Sequence, residues 1–450
     1  MRTTTETLRR LARFAVATAL LLPMWGYPAR AEAVEGRAVE GRAVEGRAVE
    51  GRAAEVAARQ AHMVRATAVA VDARKDMARL TFTLTAAVAA KAFLLERPDR
   101  VIIDLPEVNF QLPKTVGRQP SGKGNFIGSF RFGLFAPERS RIVIDLREPA
   151  LVSRVETVTT GAGAELVIEL NKATRAAYRK AALRPMVDSG DSLPAEPEDT
   201  VKPVARGPKN DALPLVVIDP GHGGIDPGAQ TGDGVLEKDV VFAFAQRLRE
   251  RLEESGRYRV MMTRTTDTFI ALGARTRMAR QAGADLFVSI HADTLGSGAG
   301  VRGATVYTGA DLATDLESAR LADKENLADQ IAGVEAAEDP DDIVGILADL
   351  TKRETRTFSS SFAGNVIDSF KGTVLLNKNP HRSAGFRVLK APDVPSVLIE
   401  LGYLSSAKDA ALLVSDAWQN DAANALTEAV RRYFSQRAPT EKAGGVAFSP

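Results

Sequence analysis

The chain has 450 residues and a formal net charge of +2, from 59 Lys and Arg against 57 Asp and Glu, with no cysteine and four histidines. That length suits two or three domains, the balanced charge offers no basic surface for nucleic acid, and the absence of thiols excludes disulfides and thiolate metal sites. Any metal must be held by His, Asp or Glu, and His62, His222, His291 and His381 are the whole histidine supply.

Residues 1–31 read as an export signal. Arg9, Arg10 and Arg13 form a positive start, residues 14–22 an apolar core, and Ala29-Arg30-Ala31 a small-residue cleavage site. The apolar core is about half the roughly 20 residues that span a bilayer. The expected product, cleaved after Ala31, keeps no stable membrane span and works outside the cytoplasm. A retained anchor is the alternative, and Arg9-Arg10 leaves a twin-arginine route open. Residues 32–62 carry four tandem copies of Ala-Val-Glu-Gly-Arg over positions 33–52. Each copy lacks the apolar surface needed to offset chain entropy, so the stretch reads as a solvated tether.

From 63 to 172 the pattern becomes short β-type runs, at 78–84, 100–105, 141–146 and 166–170. Spacing of this kind predicts an all-β module. The runs at 100–105 and 141–146 share the pattern Arg, two apolar residues, Ile, Asp and Leu, which suggests a duplicated half-domain. No histidine occurs here and the acids are scattered, so a binding or targeting role is expected. Residues 173–213, rich in Pro, Asp, Glu, Ser and Gly, read as a linker. Residues 214–437 alternate strand and helix signals, predicting a mostly parallel twisted sheet flanked by helices. The tail at 438–450 is expected to be disordered.

Three apolar runs in this last region each end in a residue able to bind or work with a metal. Leu215-Val216-Val217-Ile218-Asp219-Pro220-Gly221-His222, Leu286-Phe287-Val288-Ser289-Ile290-His291 and Val397-Leu398-Ile399-Glu400 read as buried strands. Their last residues arrive at the carboxyl ends, where open α/β sheets bind ligands. Glu237 joins them from the start of the helix that follows His222. Two histidines and a glutamate form the ligand set of a catalytic zinc with an open position. Taken singly, His222 would be an ordinary loop histidine and Glu237 an acid favoured by a helix dipole; together they point to one site. Asp293 is a candidate to orient His291. Glu400, in an apolar setting that raises a carboxyl pKa, is assigned to activate the attacking water and pass its proton to the leaving nitrogen. The competing reading of Glu400 is a buried ion pair with Arg382 or Arg387.

The combined motifs, Asp219-Pro220-Gly221-His222-Gly223-Gly224 with Asp226-Pro227-Gly228-Ala229, then Glu237, Thr263-Arg264 with Asp267, Ser289-Ile290-His291-Ala292-Asp293 and the run from Pro395 through Glu400 to Tyr403, closely resemble zinc-dependent N-acetylmuramoyl-L-alanine amidases of the bacterial cell-division type. The resemblance implies that His222, Glu237 and His291 hold Zn2+, that Glu400 is catalytic, and that the enzyme cuts the amide between N-acetylmuramic acid and L-alanine in peptidoglycan. It implies a periplasmic location and a role in daughter-cell separation. The β-rich module resembles the AMIN domain, which in such enzymes targets septal peptidoglycan.

Residues 311–372 are long for a bare sheet crossover and are expected to be a regulatory helical insertion. Leu316, Leu327 and Ile331 suggest one helix; Ile343, Ile346, Leu347 and Leu350 suggest another. The insertion is acidic, with Asp323, Glu325, Asp329, Glu335, Glu338, Asp339, Asp341 and Asp342. Amidases similar to this one carry a self-inhibitory helix relieved by an activator protein with a degenerate peptidase-like fold, and Glu325 is the candidate blocking ligand; a solvated acidic face is the alternative. His381 lies in a polar, turn-rich stretch and could meet substrate; His62 has no motif around it. Two rivals remain: a zinc peptidase acting on stem peptides, and a non-catalytic wall-binding protein.

Overall fold

The computed structural model describes residues 63–113, 116–117, 125–183, 187–188, 213–294, 301–334 and 346–437. The expected signal and tether, most of the linker, residues 335–345 of the acidic insertion, His62 and the tail lie outside the described residues.

The first part is all β, as its residue alternation predicts. Strands β1 (Val64–Ala73), β2 (Met77–Leu84), β3 (Lys91–Leu95), β4 (Arg100–Pro106), β5 (Val108–Phe110), β6 (Ile127–Ala136), β7 (Arg139–Leu146), β8 (Ala150–Thr160), β9 (Gly163–Lys172) and β10 (Val187–Asp188) form two sheets, ordered β5-β1-β2-β9-β8 and β10-β3-β4-β7-β6. Alternate residues of each strand point inward, and Leu80, Phe82, Leu166 and Ile168 from one sheet pack in one core with Val101, Ile103, Ile142 and Ile144 from the other. The two similar runs are β4 and β7, antiparallel neighbours with Asp104 opposite Arg141 and Arg100 opposite Asp145. This pairing gives the suspected duplication a local two-fold form.

Helix α1 (Arg175–Ala182) lies in the stretch expected to be linker. Thr174 caps it by accepting from the Ala177 N–H, and the buried Tyr178 hydroxyl donates to Leu95 O at 2.7 Å and accepts from the Arg100 N–H at 2.9 Å. Tyr178, Ala181 and Ala182 pack on the core of the β-domain, so this short helix is an ordered element inside the stretch expected to be linker.

The second part is a mixed sheet ordered β12-β11-β13-β16-β14-β15, built from β11 (Leu215–Pro220), β12 (Arg259–Met262), β13 (Leu286–His291), β14 (Ala304–Gly309), β15 (Leu376–Ala384) and β16 (Ser396–Glu400). All pairs are parallel except β14 with β16. Both faces are covered, which explains the unbroken apolar runs. Val216, Ile218, Val288, Val397 and Ile399 face α2 (Glu237–Glu254) and two further long helices, while Val217, Phe287 and Leu398 face α3 (Leu272–Ala282).

The insertion differs from expectation in one respect. The helix through Leu316 stops at Glu325 (α4, Leu316–Glu325), and a short α5 (Ala328–Ile331) follows. Leu316 and Leu327 are 76% and 45% exposed, while Ser318, Leu321, Ala322 and Glu325 are buried. Asn326 breaks the run: its side chain donates to Gly385 O and accepts from the Arg387 N–H, anchoring the turn. The next helix, α6 (Ile346–Phe370), is one of the two long helices on the α2 face; α7 (Ala407–Leu413) leads to the other, α8 (Asp416–Arg437). Among the described residues no helix is long and apolar enough to cross a membrane.

The β-domain and the α/β domain belong to one compact unit. Ile102 and Val143, on the outer face of the second β-sheet, cluster with Ile225, Phe269 and Ala332, and the Phe135 and Phe269 rings stack with centroids 6.0 Å apart.

Candidate metal centre

Parallel register brings the strand ends together: β11 pairs with β13, and β13 sets His291 beside Glu400 on β16. Beyond β11 the chain turns so sharply that His222 takes φ +59°, a left-handed value disfavoured for a residue with a Cβ. Two buried arginines hold this turn. Arg275 donates to Pro220 O, His222 O and Asp219 Oδ1 at 2.9, 2.7 and 2.9 Å, and Arg264 donates to Pro220 O and Gly221 O, each at 3.0 Å. Asp267 accepts from the Gly224 N–H at 2.7 Å. At Gly221 an added Cβ would sit 2.5 Å from the His291 ring, so only glycine lets strand end and imidazole approach so closely.

Four polar atoms converge beyond this turn. His222 Nε2 lies 3.1 Å and His291 Nδ1 3.3 Å from Glu237 Oε1, and the same two nitrogens lie 3.5 and 3.2 Å from Glu325 Oε2. A tetrahedral zinc with arms of about 2.0–2.1 Å has edges of about 3.3–3.4 Å, so the spacing fits that ion. The nitrogens are at ion-pair distance from the carboxylates, yet neither buried nitrogen has a hydrogen-bond partner. A cation between the groups satisfies this geometry better than in-line N–H bonds do. His222, Glu237 and His291 form a group that could bind a metal.

His222 and Glu237 are held from behind. His222 Nδ1 lies 2.8 Å from Asp226 Oδ2, which orients the ring and leaves Nε2 to face the centre. Glu237 accepts from the Ala292 N–H through Oε1 at 2.9 Å and from the Ala229 N–H through Oε2 at 2.8 Å. Burial would raise the Glu237 carboxyl, but His222 and His291 hold it well below the usual range. Burial opposes a charged His222, yet Glu237, Asp226 and Glu325 outweigh it and hold the imidazole well above its ordinary value. The pocket therefore favours positive charge, whether carried by a proton or a metal.

Glu400 is fully buried; its Oε2 accepts from the Asp293 N–H at 2.9 Å while Oε1 has no partner. Burial first, then repulsion from Glu237, Asp293 and Glu325, pushes it well above the usual carboxyl range. Neither arginine considered for it is engaged there: Arg382 pairs with Glu317 and Arg387 with Asp329. Asp293 does not bond to His291. It pairs with Lys324 of α4, and its Oδ2 has no partner. Glu325 is raised to about 7, by burial against the pull of His291 and His222. His381 lies on β15, exposed, 3.4 Å from Thr308 Oγ1 and outside the four-atom cluster.

Residues 216–432 match the family N-acetylmuramoyl-L-alanine amidase and residues 69–170 match the AMIN domain. Over 395 residues the chain is 31% identical to the N-acetylmuramoyl-L-alanine amidase AmiC of Escherichia coli O6:H1, covering 85% of this chain and 93% of that one. The chain belongs to the N-acetylmuramoyl-L-alanine amidase family. The AmiC of Neisseria meningitidis serogroup B is 33% identical over 397 residues, covering 84% of this chain and 93% of its own. Among solved structures, the N-acetylmuramoyl-L-alanine amidase AmiC2 of Nostoc punctiforme is 26% identical, with a TM-score of 0.36 over 49% of this chain and 97% of that one. This amidase thus joins an N-terminal AMIN domain to an α/β catalytic domain and acts on peptidoglycan. Sequence reasoning missed how Asp226, Arg264 and Arg275 hold the amidase's loop. Asp226 lay four places after His222 in the quoted motif and was legible as its partner; Arg275 stands in an unremarkable helix.

Proposed function

We propose that the amidase uses Zn2+ held by His222 Nε2, His291 Nδ1 and Glu237 Oε1, that Glu400 is its catalytic base and acid, and that Glu325 blocks the remaining position. The bond cut is the amide between N-acetylmuramic acid and L-alanine. When bound, zinc supplies a Lewis acid that polarises a carbonyl and acidifies water near neutral pH. Glu400 takes the proton from the attacking water and delivers it to the departing nitrogen; its unpartnered Oε1 and raised proton affinity suit both halves of that transfer. The Asp293 N–H fixes the other carboxylate oxygen, so the acid–base atom keeps its aim.

The observation that carries the reading is the convergence of three buried donors from the turn after β11, from α2 and from β13 with a fourth from α4. Lys324 reinforces the block by pairing with Asp293 next door. Relief would come from an activator of degenerate peptidase-like fold that draws α4 aside. Export by the signal at 1–31 would deliver the enzyme to the periplasm, where the AMIN domain brings it to septal peptidoglycan for daughter-cell separation.

Release of dye from labelled sacculi, with zinc content measured in parallel, tests the assignment. Chelator should abolish release and added zinc restore it. Glu400→Gln should keep its zinc and lose about 10²–10⁴-fold in rate. A Glu400→Gln protein as active as the parent would refute the catalytic assignment.

A further inference from the structure

Two guanidinium groups of the AMIN domain hold the chain just past the blocking carboxylate. Arg131 donates from Nε and from a terminal nitrogen to Ile331 O at 3.1 and 2.7 Å, and Arg141 donates to Ala332 O and Gly333 O at 3.0 and 3.1 Å. Both groups are preset. Asp145 accepts two bonds from Arg131, Asp104 accepts two from Arg141, and the Arg141 guanidinium lies 3.5 Å over the Phe135 ring. The three carbonyls close α5, where no further helical N–H follows to bond them. Gly333 turns there at φ +73°, and a Cβ on it would come 2.8 Å from Ile102 of β4.

The same sheet face touches the other side of the metal centre. Leu134 O, on β6, accepts from the Ile225 and Phe269 N–H groups at 3.2 and 3.3 Å, and Ile225 follows His222 in the metal loop. One rigid surface thus grips both the loop that carries His222 and the segment that carries Glu325.

We propose that the outer face of the sheet β3-β4-β7-β6 is a docking surface for the chain's own blocking segment, so that the seated AMIN domain latches Glu325 in the metal centre. The latch rests on the reading of Glu325 as the block. When the AMIN domain leaves this seat, three carbonyls of residues 331–333 lose their donors and α4 is freed to swing out. Whatever lifts the AMIN domain from this seat would release activity, because the same face holds the blocking segment.

The test uses the full chain, without activator, on dye-labelled peptidoglycan, with amide exchange followed over residues 328–334. Arg131→Ala removes two charge-assisted bonds. Gly133→Val wedges the contact from β6, since a Cβ there meets the Gly224 carbonyl at 2.5 Å. Both variants should speed exchange in that segment and raise basal release at least about tenfold, since lost charged hydrogen bonds shift such an equilibrium by that order. Adding either change to Glu325→Ala should bring no further gain. Unaltered release in both variants, with Glu325→Ala activated, overturns the latch and leaves the block standing. An unactivated Glu325→Ala overturns block and latch together.

Discussion

Asp226 Oδ2 and His222 Nδ1, four positions apart in the chain, stand 2.8 Å from each other, both buried. The bond fixes which imidazole nitrogen faces Glu237, so its worth is in metal affinity more than in fold. Asp226→Ala is expected to weaken zinc binding about 10–100-fold, read by competition with a chelating dye, with the thermal transition little changed. Unaltered zinc affinity would remove Asp226 from the design.

Gly221 offers a steric test of the same centre. Replacing it by alanine drives a methyl into the His291 ring from 2.5 Å, and the ring is the part able to yield. The variant should fold, carry substoichiometric zinc and lose amidase activity, as metal analysis of the purified protein would show. Full zinc occupancy would mean that the backbone moves instead.

Lys324 separates the two contacts that α4 makes at the centre. Its ammonium pairs with Asp293 while the neighbouring Glu325 faces the two imidazoles. Lys324→Ala should raise basal release to a level between the parent and Glu325→Ala, because the carboxylate remains while its anchor is lost. A rate equal to the parent would show that Lys324 contributes nothing to the block.

In the AMIN domain, Tyr178→Phe leaves the Arg100 N–H and the Leu95 carbonyl without their partner beside a buried core. The expected cost is about 1–3 kcal/mol, seen as a lower unfolding midpoint with zinc content unchanged. A midpoint equal to the parent's would mean that α1 is not part of that core.

How much of this could be read beforehand follows from the range of each interaction. Asp219, His291 and Glu400 end unbroken apolar runs, and the parallel order of β11, β13 and β16 makes these runs finish at one edge. The meeting of their strands was therefore legible without coordinates. Asp104 opposite Arg141 was half legible, since the repeated pattern was visible and its antiparallel pairing was not. Leu316 and Leu327 misled, because apolar spacing assumes an unbroken helix and Asn326 ends this one. The grip of Arg131 on Ile331 joins residues 200 apart through a main-chain carbonyl, which has no side-chain signature at all.

The strained turn at His222 has one last implication. Arg264 and Arg275 tie its carbonyls with bonds made wholly within the polypeptide, so the cradle keeps its shape without an ion. Unlike small domains that collapse when their metal is stripped, this amidase is expected to give up the proposed zinc to a chelator and rebind it without refolding.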